Sequence, residues 1–110
     1  MIKITKKSKI FLWGPTPEVF SGGAEVINML AAYLKERGVD AKMFSWDMEV
    51  YYQADYFKTR YDVNCTSWMN IENTEDTIII LPECMIENPD NLNFFVHGLT
   101  NVQFIIWWLG

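Results

Sequence analysis

Ile10-Phe11-Leu12-Trp13 is an unbroken apolar run that stops at Gly14-Pro15. The loop Pro15-Thr16-Pro17-Glu18-Val19-Phe20-Ser21-Gly22-Gly23 follows, and then the segment Ala24 to Arg37. A short run with no polar face suits a strand buried on both sides. The prolines and glycines mark the connection as irregular backbone. In the next segment Ile27, Leu30, Ala31 and Leu34 recur at i, i+3, i+4 and i+7, one apolar stripe of a helix, which Val26 and Tyr33 widen. Lys35 and Arg37 favour the end of that helix and Gly38 stops it. A buried strand, a glycine-bearing loop and an amphipathic helix, in that order, set the reading of everything downstream.

Working outward, Val39 to Trp46 alternates through Val39, Ala41 and Met43 to Phe44 and Trp46, and predicts a second strand. Met48 to Tyr61 carries Val50, Ala54, Phe57 and Tyr61 at helical spacing and predicts a second helix. Asp62 to Asp76 is polar and predicts a loop. Thr77-Ile78-Ile79-Ile80-Leu81, β-branched and halted by Pro82, is the clearest strand. Asn88 to Leu99 predicts a loop and a short helix: Pro89 suits its first position, and Leu92, Phe95, Val96 and Leu99 form its stripe. Val102 to Leu109 is a last apolar strand. The order β-α-β-α-β-α-β, with strands apolar on both faces, implies α/β architecture. The expected layout is a doubly wound, Rossmann-like three-layer sandwich with a mostly parallel sheet, residues 1–110 forming one domain.

The last strand ends the chain, and its Phe104, Ile105, Trp107 and Trp108 make a sticky edge. Either another subunit covers it, by self-association for instance, or residues 1–110 are the front part of a longer protein. The second is the expectation.

Composition narrows the function classes. Half of the 110 residues are apolar and 21% are charged, with 5 Trp, 5 Tyr and 7 Phe, which excludes a disordered tail. A net charge of -5 repels a phosphate backbone and argues against nucleic acid. No apolar run approaches the roughly 18 residues of a membrane span. Cys65 and Cys84 form neither a CxxC pair nor a disulfide framework, and His97 is the one histidine, so no metal site is expected. Two reduced thiols suit the cytoplasm. Lys3, Lys6, Lys7 and Lys9 mimic the start of a signal peptide, but Ile10 to Trp13 is too short for the apolar core of one.

In open parallel sheets ligands bind beyond the carboxyl ends of the strands. Three loops of this chain reach that edge. Ser21-Gly22-Gly23 opens the first helix, so bare backbone N–H groups can face an anion such as a diphosphate. The same residues also read as a flexible turn with Ser21 or Gly22 as a plain helix cap. Asp47 follows the second strand, placed either to hold ribose hydroxyls or as a solvated turn residue. Glu83, after Leu81-Pro82, reads as a ligand for a sugar hydroxyl or as a first-turn helix charge. His97 fits a surface or capping role better than a catalytic base. Tyr51, Tyr52, Tyr56, Phe57 and Tyr61 fit core and helix surface better than a sugar platform. Cys84 has no base beside it to make it a nucleophile.

Ile10-Phe11-Leu12-Trp13, the loop, Ser21-Gly22-Gly23-Ala24-Glu25-Val26 and the helix through Leu34-Lys35-Glu36-Arg37-Gly38-Val39 resemble the start of GT-B glycosyltransferases related to the glycosyltransferase 4 group. Asp76 to Glu83, Asn88-Pro89 and Phe104 to Gly110 look like later strands of the same N-terminal domain. The resemblance covers most of the chain, and the Ser-Gly-Gly-Ala-Glu stretch is its specific part. It implies two Rossmann-like domains facing a cleft, one binding a nucleotide-sugar donor and the other, N-terminal one the acceptor: a glycan, a lipid or a small molecule. It implies that Ser21, Gly22 and Gly23 approach the donor diphosphate, with Asp47 and Glu83 toward the cleft and the catalytic residues unknown. It further implies that no metal or other cofactor is needed, and that the full enzyme is cytoplasmic or peripheral to the membrane. The donor domain is missing from residues 1–110, so the expectation is that the chain is inactive alone. Two other classes compete. A dinucleotide oxidoreductase domain would carry G-x-G-x-x-G after the first strand, and this chain does not. A receiver- or flavodoxin-type interaction module would carry acids after the first strand, where Gly14-Pro15 stands.

Overall fold

The computed structural model describes residues 4–15, 17, 22–46, 48–82 and 98–107. Five strands form one sheet: β1 (Lys9–Trp13), β2 (Asp40–Phe44), β3 (Asn64–Cys65), β4 (Thr77–Pro82) and β5 (Gln103–Trp107). Their order is β3-β2-β1-β4-β5, and every neighbouring pair runs parallel. Helix α1 (Gly22–Glu36) joins β1 to β2, and a single turn α2 (Asp55–Lys58) lies between β2 and β3. This is a Rossmann-like α/β domain, as the apolar strand runs predict.

Alternation along the central strands builds a core on each face. Ile10, Leu12, Ala41, Met43, Ile78 and Ile80 pack with Ile27 and Ala31 of α1. Phe11, Phe44, Ile79 and Leu81 face the other way and gather Trp13, Trp46, Trp68, Phe104 and Ile106. β4, flanked by β1 and β5, is buried along its whole length.

Helix α1 ends as its sequence predicts. Gly38 takes a φ of +79°, its N–H donates to Lys35 O at 3.0 Å, and Val39 N–H donates to Leu34 O at 3.0 Å. That pair of bonds closes the helix, and Val39 and Leu34 both pack against the core beneath it. Tyr33 departs from the predicted stripe: it is half exposed, and the Arg37 guanidinium lies over its ring at 4.3 Å.

Three further expectations need correction. The helix predicted over Met48 to Tyr61 shrinks to the one turn of α2. Residues 48–54 have no helix, because Tyr51 rather than Val50 is the residue that reaches the core: Val50 is 68% exposed and Tyr51 5%. The stretch Asp62 to Asp76 is more than loop, since it holds β3 and a 3-10 turn at Trp68–Asn70 capped by the Ser67 side chain. A two-residue strand has no periodicity to read; its backbone pairing with Lys42 and Met43 makes it. The sheet therefore has five strands where four are predicted. The helix predicted within Asn88 to Leu99 lies outside the described residues except at its last two positions. β5 pairs with β4 and is the outermost strand on that side among the described residues. No helix among the described residues is long and apolar enough to cross a membrane.

Candidate functional site

β1 is the pivot of the sheet: α1 carries the chain from it to β2 on one side, while β4 and β5 lie on the other. The strand order reverses between β1 and β4, and the crevice beyond the carboxyl ends at such a switch is where open α/β sheets bind ligands. Trp13-Gly14-Pro15 leaves β1 at this edge, and α1 begins there at Gly22 and Gly23 before running back toward the start of β2. Its first turn carries N–H groups that no carbonyl of the helix itself accepts, together with the Glu25 carboxylate.

Gly14 is buried, and its place in the site is steric. A Cβ there would stand 2.7 Å from both the Met43 methyl and the Tyr51 hydroxyl. The space it leaves lets the Tyr51 hydroxyl donate to Pro15 O at 2.9 Å. Gly14 N–H donates to Phe44 O at 2.8 Å, prolonging the β1–β2 ladder by one bond. The departure of the glycine-bearing loop is thus clamped from two sides. Burial pushes the Tyr51 phenol well above its ordinary range, with Cys65 nearby adding to the effect. Burial also raises the Cys65 thiol, so this thiol is held in its neutral form.

A second set of contacts fixes the start of α1. The buried Asn28 side chain donates to Ala24 O at 2.8 Å and accepts from Gln53 Nε2 at 2.8 Å. Gln53 also donates to Tyr61 O, and Tyr61 donates its hydroxyl to Glu25 Oε1 at 3.1 Å. The irregular segment between β2 and β3 therefore serves as a brace for the first two turns of α1. These four bonds tie Asn28, Gln53, Tyr61 and Glu25 into one connected set.

Two polar side-chain atoms at the same edge have no such partner. Trp13 Nε1 and Ser45 Oγ are buried with no hydrogen-bond partner among the described residues. Trp13 ends β1, and Ser45 follows the end of β2, one residue past the Trp13↔Phe44 rung.

Of the residues expected at the site, Gly22 and Gly23 are the first two of α1, at the carboxyl edge. Ser21, Asp47, Glu83, Cys84 and His97 lie outside the described residues. In the aromatic group Tyr51 and Phe57 are buried, while Tyr52 and Tyr56 are exposed and Arg60 lies over Tyr56 at 3.7 Å. Sequence reasoning missed Gly14, Ser45, Tyr51 and the Asn28–Gln53 pair as parts of this edge. Gly14 carried a signal, a glycine directly after a buried strand; the others carried none. Among the described residues no group of three His, Cys, Asp or Glu gathers to hold a metal ion.

Compared with family models, with curated proteins and with solved structures, the chain finds no match.

Proposed function

We propose that this chain is the acceptor-side domain of a sugar-transferring enzyme of GT-B type, using a nucleotide-sugar donor. What supports the reading most is one juxtaposition. Helix α1 starts on two glycines at the carboxyl edge, beside the reversal of strand order, and its first turns are braced from the segment after β2. Bare N–H groups of a long helix suit a diphosphate oxygen, and glycine lets that oxygen approach the backbone. Preorganisation by the Asn28–Gln53 and Tyr61–Glu25 contacts would serve catalysis by holding the donor without reorganisation. In this reading Gly22 and Gly23, with Ser21, face the diphosphate. Asp47 and Glu83 are the proposed cleft residues. A second, donor-binding domain supplies the opposite wall.

The competing reading is a Rossmann-like dinucleotide binder, and ligand choice separates the two. Backbone amide resonances of Gly22 and Gly23 should shift in saturable fashion with UDP-glucose or GDP-mannose and not with NAD. A response to NAD alone would transfer the loop to the dinucleotide reading. Silence toward all three would remove it from any diphosphate site.

A further inference from the structure

We draw no further inference here: the strongest candidate, the outer edge of β5 with its partly buried Phe104, Ile105 and Ile106, carries none because nothing in the structure shows what covers it.

Discussion

The two edges of the sheet are built differently. At the amino edge polar side chains are spent on structure. Ser8 Oγ accepts from Thr5 N–H at 2.8 Å, and Thr77 donates to Glu72 O. Asn73 receives the Asn101 N–H at 2.7 Å, and Gln103 donates to Glu75 O at 2.9 Å, so the approaches to β4 and β5 are stapled together. At the carboxyl edge the braces stop short of the strand tips: Tyr51 and Gln53 secure the loop and α1, while Trp13 Nε1 and Ser45 Oγ stay unmet. One edge is closed by side-chain hydrogen bonds, while the other keeps two buried polar atoms without a partner among the described residues.

The contrast can be broken in several ways, beginning with the largest effect. Gly14→Val should destabilise by about 3 kcal/mol, since its side chain must displace Tyr51 from Pro15 and push on Met43. Denaturant unfolding would measure it, and a near-neutral result would show that the carboxyl edge is not tightly packed. Tyr51→Phe should cost about 1.5 kcal/mol at neutral pH by leaving Pro15 O without its donor. Its pH dependence has a definite sign. The folded phenol titrates above its unfolded value of about 10, so above that pH the unfolded state releases a proton that the folded state keeps. Stability from this group is complete below pH of about 10 and falls as the pH rises beyond it. Phenylalanine cannot ionise, so the wild type's advantage should shrink in alkaline unfolding curves; a constant gap would mean that the phenol is not buried as described.

The most direct comparison pairs two buried hydroxyls, one at each edge. Thr77→Val should cost about 1 kcal/mol, because it leaves Glu72 O without a donor. Ser45→Ala should cost close to nothing, or stabilise slightly, because it removes a group that has no partner among the described residues. Equal losses at both positions in matched thermal melts would erase the distinction between the edges.

How much of this was legible depended on the kind of interaction. β1, β4 and α1 could be read because each repeats one signal over several residues: unbroken apolar runs for strands buried on both faces, a four-position stripe for the helix. The Gly38 stop could be read because a left-handed residue there demands glycine whatever surrounds it. Residues 48–54 misled, since Val50 and Ala54 fall at helical spacing while Tyr51, the true anchor, lies off that register. β3 was invisible because its two residues become a strand only through hydrogen bonds to β2. Of the residues expected at the site, Gly22 and Gly23 could be assigned to the start of the first helix from local chemistry, and they open α1. The partners that fix their position, Asn28, Gln53, Tyr61 and Glu25, come from segments far apart in the chain and leave no local trace.

The sequence alone determined the class of fold, because strand and helix periodicities and a glycine's backbone freedom are local properties that each stretch of chain carries with it. Only the tertiary structure decided the strand order, the fifth strand, the reason Gly14 can bear no side chain, and which polar atoms at the strand tips stay unmet among the described residues. Those are facts about neighbours: hydrogen bonding and close packing depend on distances that the chain sets only when it folds.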